Sequence, residues 1–287
     1  MLPIASDRGL LKKDVPIDVT FFHQAGEDVT PPDVVAFLGL GNEVAASARA
    51  ARRFSALGLG NIAVVSALPY WKMSPNPDAL KELAVQAPGA VMRAVTEMHG
   101  SEPPVVHAIA ESQQGPSLAW AAAEDPGSFT GRLALLRSLG IQNGMKVLPF
   151  LWGMARTGCQ ADQLRNPGVL KIAGRGAYRL GCDLVMDKRA GLDFALSATI
   201  GDALGKIVAH KGEENLAVVA ADSDRLFSAA AQRTMLTAHD LQDIFFVIRG
   251  SHTPPAVKPG AAQFMPVAAW CRTGEFPAGS LVLHNGQ

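Results

Sequence analysis

A chain of 287 residues, 48% of them hydrophobic, is long enough to bury one substantial α/β core with an insertion and short for two independent domains. Lysine plus arginine and aspartate plus glutamate balance at 26 each, which removes the electrostatic case for a nucleic-acid or anionic-membrane partner. The three cysteines, Cys159, Cys182 and Cys271, show no C-x-x-C spacing and read as reduced, buried apolar residues of a cytoplasmic protein. Met1–Asp14 carries charges and no continuous apolar stretch, so no signal peptide is expected. No run of about 20 apolar residues is present to span a bilayer.

From the N-terminus, Ile17–Phe22 reads as a strand ahead of a turn at Gly26-Glu27-Asp28. Val34–Leu38 is a short apolar run ending at Gly39, the pattern of a buried parallel strand. Ala45–Leu57 predicts a helix with Arg49, Arg52 and Arg53 on its solvated side, stopped by Gly58 and Gly60. Ile62–Ser66 is the next strand, followed by a proline-rich loop from Pro69 to Pro77. A helix then runs to His99, with a break expected at Pro88-Gly89. The strand Val105–Ile109 and an alanine-rich helix after Ser112 complete this part. Such alternation implies a parallel sheet with right-handed crossovers.

Leu133–Leu139 is a further apolar run, after which the pattern changes. From Gln142 to about Ala190 the chain reads as glycine-broken helices, clearest at Met145–Thr157 and Pro167–Leu180, without an alternating strand. This predicts a helical cap over residues 141–190, inserted between core segments 1–140 and 191–287. Leu192–His210 resumes as an amphipathic helix ended by Gly212. Leu216–Ala220 and Ile244–Ile248 are the last buried strands, and Ala256–Trp270 is a final helix around Pro259.

The chemistry concentrates at strand ends. Val105–Ile109 and the residues up to Glu111 run straight into Ser112, and helix follows at once. A serine on such a turn is exposed, and the first helix amides point at whatever its hydroxyl attacks. Ala110 two residues before and Gly115 three after are small, giving A-x-S-x-Q-G where the usual motif is G-x-S-x-G. Alone, that stretch reads equally as packing. Serine chemistry also needs a base and an acid to orient it, beyond the carboxyl ends of other strands. Leu216–Ala220 ends in Ala221-Asp222-Ser223-Asp224-Arg225-Leu226-Phe227, and Ile244–Ile248 ends in Arg249-Gly250-Ser251-His252-Thr253-Pro254-Pro255. The order is Ser…Asp…His, with Asp222 and Asp224 competing for the acid role.

These three segments resemble the signature blocks of the α/β-hydrolase family, and Val34–Asn42 resembles its early strand and oxyanion loop. The likeness covers roughly Val34–Arg137 and Leu192–Trp270; the helices between match a cap by position only. It implies an α/β-hydrolase fold, a mostly parallel doubly wound sheet with a helical cap insertion. Carried over by position, it implies Ser112 as nucleophile, Asp224 as acid and His252 as base, with the backbone amides of Leu40 and Gln113 holding the oxyanion. Asp222 is then a turn carboxylate capping nearby amides. Family members usually carry His-Gly before the oxyanion residue, whereas Leu38-Gly39-Leu40 keeps only the glycine; Gln114 in place of glycine crowds the elbow.

Serine, rather than the aspartate of haloalkane dehalogenases and epoxide hydrolases, implies acyl transfer through an acyl-enzyme on a small-molecule ester or acyl substrate, with no cofactor. A C–C hydrolase or acyltransferase would use the same triad, and the two departures favour a third reading, a non-catalytic scaffold. Trp71, Trp152 and Met154 are candidate walls of an apolar acyl pocket or plain cap packing. Glu111 either tunes the pocket or faces a neighbouring loop. His107, inside a strand, reads as a hydrogen-bonded core residue, and His210 and His239 as solvated. His23, His99 and His284 have no partner at ligand spacing, so no metal site is expected.

Overall fold

A computed structural model describes residues 2–4, 15–17, 19–21, 31–39, 44–59, 61–66, 77–100, 104–141, 199–253, 255–256 and 258–282. Strands β1 (Leu2–Ile4) and β2 (Val15–Ile17) form a small antiparallel pair of their own. The main sheet takes β3 (Val19–Phe21), β4 (Val34–Phe37), β5 (Ile62–Val65), β6 (His107–Glu111), β7 (Leu133–Leu136), β8 (Leu216–Ala221) and β9 (Phe245–Ile248). Their order is β3-β5-β4-β6-β7-β8-β9, parallel throughout except for β3 against β5.

Strands such as Val-Val-Ala-Phe, Leu-Ala-Leu-Leu and Leu-Ala-Val-Val-Ala-Ala are buried along their whole length. Apolar residues on both faces call for cover on both sides, and helices supply it. Val35 and Phe37 join Ala108, Leu135 and Val218 in one core, while Val34 and Ala36 join Ile109, Leu136 and Val219 in the other. Helices α1 (Val44–Ala56), α6 (Lys258–Ala262) and α7 (Phe264–Thr273) cover the second face through Phe54, Ala261, Phe264 and Val267. Helices α2 (Pro77–Glu97), α3 (Gln114–Glu124), α4 (Ile200–Lys211) and α5 (Ala229–Thr237) cover the first. Each fully buried Val, Leu, Ile or Phe contributes about 1.5–3 kcal/mol, so this two-sided burial dominates the fold.

Four expectations shift in detail. Helix α2 runs unbroken through Pro88. The cost of proline inside a helix, about 3 kcal/mol, is offset by burial of Leu83, Ala84, Ala87, Val91, Met92 and Val95. The final helix is two helices with Gln263 between them, still in helical geometry at φ −71° and ψ −19°. The first strand divides into β2 and β3, which serve different sheets. Strand β6 begins at His107 rather than Val105, because parallel pairing with β4 starts at Val34↔His107. Pairing with β7 at Glu111↔Leu136 carries it on to Glu111, directly against Ser112.

The parallel register brings Ala110, Leu136, Val219 and Ile248 near one rim of the sheet. The loops after β4, β6, β7, β8 and β9 all leave from that rim. Helix α4 matches the described part of the expected Leu192–His210 helix. The expected cap, with Trp152 and Met154, and the positions Leu40 and Trp71 lie outside the described residues.

Candidate active site

Ser112 occupies the turn between β6 and α3 with φ at +54°, a left-handed conformation that L-residues adopt at a cost. Three backbone hydrogen bonds hold it there. Its amide donates to the Leu136 carbonyl at 3.0 Å, and its carbonyl accepts from the Gly115 and Leu139 amides at 3.2 and 2.9 Å. Gln113 stands at the N-cap of α3 with its backbone already helical, and it provides no side-chain cap. The helix N-terminus at Gln113 is thus set beside Ser112, with the dipole's positive end towards any developing anion.

The crowding expected at Gln114 falls instead on the next residue. A Cβ at Gly115 would collide with the Ser138 hydroxyl, so the glycine is needed there. The Gln114 side chain has room beside Phe37, Ser66 and Pro88, where it lines a small cavity. The small residue is therefore needed one position later, where the start of α3 meets Ser138 in the segment after β7.

Asp224 and His252 meet across the loops after β8 and β9. The Asp224 Oδ2 lies 2.9 Å from His252 Nδ1, while Oδ1 accepts from the Leu226 and Phe227 amides at 2.8 and 2.9 Å. The Asp224 side chain is fully buried, and that of His252 is 13% exposed. Burial alone would raise the Asp224 pKa. The charge and hydrogen bond of His252, the Phe227 amide and the Arg137 cation outweigh it and hold the carboxyl below its ordinary value. Phe227 packs edge-on against the His252 ring, centroids 5.0 Å apart. An ionised carboxylate on Nδ1 fixes the proton of the neutral ring there, so Nε2 carries the lone pair.

Asp222 does something different. It is exposed, and its Oδ1 accepts from the Gly250 amide at 2.9 Å and the Ser223 hydroxyl at 3.1 Å. It ties the two loops together without touching His252 through any of these bonds.

Two residues that the sequence left ambiguous or silent complete the site. Glu111 does not simply face a loop: its Oε1 forms a 2.7 Å ion pair with Arg137 Nη2, and its Oε2 accepts from the Gly39 amide at 3.4 Å. Arg137 is wholly buried, and its Nη1 donates to the carbonyls of Ser251 and Thr253 and to Gln263 Oε1 at 2.8, 2.9 and 2.7 Å. The one available signal was a lone arginine closing the apolar run Leu133–Leu136, where a solvated charge would be out of place.

The other candidates sit elsewhere. His107 is buried at the opposite end of β6, with Nδ1 accepting from the Arg132 amide at 2.9 Å. Cys271 is buried, and burial pushes its thiol pKa up, which makes it a poor nucleophile. His210 and His239 are exposed. Among the described residues there is no group of three or more His, Cys, Asp or Glu side chains that could hold a metal ion. Among them, no helix is long and apolar enough to cross a membrane.

No protein-family model and no curated protein matches the sequence. Solved structures do. The chain is similar to a monoacylglycerol lipase from Paleococcus ferrophilus at 13% identity, over 91% of this chain and 100% of that one, with a TM-score of 0.50. It is similar to a 2-hydroxy-6-oxo-6-phenylhexa-2,4-dienoate hydrolase from Rhodococcus sp. strain RHA1 at 15% identity, covering 83% and 89% of the two chains, TM-score 0.49. A thioesterase domain from the curacin biosynthetic pathway matches at 13% identity over 90% of this chain and 100% of that one, TM-score 0.49. The strand order and the likeness to the lipase define the class: the chain has the α/β-hydrolase fold.

Proposed function

We propose that the protein is a serine hydrolase of carboxylic esters or related acyl compounds, working through an acyl-enzyme on Ser112 with His252 as base and Asp224 as acid. The observation that carries this reading is the pairing of a buried, ionised Asp224 with His252 Nδ1, on the rim where Ser112 is held at φ +54°. A serine held in left-handed backbone costs stability, and a binding scaffold would have no need of it.

In the proposed reaction Ser112 Oγ attacks the substrate carbonyl while its proton passes to His252 Nε2. The oxyanion is held by the Gln113 amide at the start of α3 and by the Leu40 amide; the Gly39 amide is directed to Glu111. Collapse expels the leaving group, which takes the proton from His252. Water then attacks the acyl-enzyme along the same path, releasing the acid and restoring Ser112. An alcohol acceptor in place of water would make the same site an acyltransferase. Asp224 keeps the imidazole oriented and stabilises its cation.

The test is labelling with a fluorophosphonate probe, followed by a panel of p-nitrophenyl esters with and without added alcohol. Ser112 should be modified in the wild type and the label lost in Ser112→Ala. An unreactive Ser112 in folded protein would overturn the reading in favour of a scaffold.

A further inference from the structure

The Glu111–Arg137 pair ties together three of the loops that the proposed reaction uses, those after β4, β6 and β9. Glu111 immediately precedes Ser112, and its second oxygen takes the Gly39 amide. Arg137 follows β7 and is itself bent to φ +49°. Its amide donates to the Val219 carbonyl of β8 at 2.7 Å, and its guanidinium reaches the carbonyls on both sides of His252, at Ser251 and Thr253. No side chain of the pair has more than 3% exposure.

A buried ion pair is weak grounds for stability, since apolar residues of similar volume often hold a fold as well or better. The rigid fork of a guanidinium, in contrast, can grip several carbonyl acceptors in one fixed geometry. Two backbone carbonyls flanking one histidine constrain where that ring stands. With the other end of the pair fixed to β6 and to residue 39, the spacing between base, nucleophile and oxyanion loop is set by a single unit.

We propose that Glu111 and Arg137 are positioning residues, an internal strut that holds the His252 loop in register with the Ser112 elbow and the Gly39 amide. The proposal rests on the hydrolase reading above.

The experiment compares Glu111→Gln/Arg137→Met, Arg137→Lys and Ser112→Ala with the wild type. It measures thermal melting, kcat and KM on a short p-nitrophenyl ester, and the rate of fluorophosphonate labelling. The double variant removes both charges together and so avoids leaving one buried unpaired. It is expected to melt cooperatively while kcat falls about 100-fold, KM stays within about threefold, and labelling slows in parallel with kcat. Arg137→Lys keeps the charge but lacks the fork, and should restore no more than about a tenth of wild-type kcat. A double variant with wild-type kcat, or full recovery by lysine, overturns the strut. Failure of both variants to fold also overturns it, making the pair a folding element. Activity surviving in Ser112→Ala would instead overturn the hydrolase reading, whereas an inactive Ser112→Ala beside an unimpaired double variant sinks the strut alone.

Discussion

Gly39 lies so close to Ser112 that a Cβ on the glycine would sit 2.7 Å from the Cβ of the serine, 3.0 Å from the Glu111 carbonyl oxygen and 3.2 Å from the Gln113 nitrogen. The loop after β4 and the elbow after β6 are therefore in contact through backbone. Gly39→Ala should force them apart and disturb the elbow at Ser112 and Gln113. We expect a loss of about 100-fold in kcat/KM and about 1–3 kcal/mol in stability. Ester turnover and denaturant melts on the variant check this; an alanine enzyme with wild-type turnover would show that the contact yields cheaply.

The left-handed backbone of Ser112 gives a second test, in which activity and stability move in opposite directions. Glycine adopts φ +54° without the Cβ penalty, so Ser112→Gly relieves strain of about 1–2 kcal/mol, reduced by the greater freedom of glycine in the unfolded chain. The variant should be as stable as the wild type or up to about 1 kcal/mol more stable, and inactive. Ser112→Ala should be inactive without that gain. Melting temperatures that rank glycine below alanine would contradict the strain argument.

Much of this architecture was legible because buried parallel strands leave little choice. Val34–Phe37, Ile62–Val65, Leu133–Leu136 and Leu216–Ala221 are continuous apolar runs between glycine or polar breaks, and each forms a strand. An acid–histidine contact could be anticipated from two strand ends in order, while the choice of Asp224 over Asp222 was implied by the α/β-hydrolase resemblance. Pro88 was misleading because local propensity predicts a break, while packing of α2 on the core overrides it. Arg137 escaped notice because its one local signal, a charge at the end of an apolar run, names no partner; its partners lie 26 to 126 positions away in sequence, joined only by the sheet.

The two aspartates of the β8 loop should separate sharply on mutation. Asp224→Asn puts an amide against His252 Nδ1, which either reverses the imidazole tautomer or loses the bond, and it removes the charge opposite the cation. Turnover should fall on the order of 10³–10⁴-fold. Asp222→Asn keeps an oxygen that can accept from Gly250, so its turnover should remain within about tenfold. The carboxyl of Asp224 also has a stability signature. Its folded pKa lies below its usual 3.8, so its contribution is complete above that value and disappears as pH falls through the lower folded one. Acid unfolding below about pH 4 should therefore be shallower in Asp224→Asn than in the wild type. If Asp222→Asn proves the more damaging change, the acid has been assigned to the wrong residue.

His107 supplies a pH effect on stability that is separate from the reaction. Its pKa is lowered from 6.5 to about 4, first by burial and then by the nearby Arg132 and Arg272 cations, with Asp33 opposing them. The geometry agrees, because Nδ1 accepts from the Arg132 amide and a protonated ring could not. The unfolded chain takes up the proton at a higher pH than the folded one. Stability from the neutral ring is therefore complete above pH 6.5 and is lost as pH falls towards about 4. At 1.36 kcal/mol per pKa unit the loss reaches up to about 3 kcal/mol. His107→Asn retains an acceptor for the Arg132 amide but cannot titrate, so its unfolding free energy should be flatter over that interval. Because His107 opens β6 while Ser112 follows its far end, ester turnover at pH 7.5 should stay within about twofold of wild type. Denaturant titrations at several pH values between 7.5 and 4.5 make the comparison. Parallel stability curves for the two proteins would mean that the buried ring charges freely in the folded state.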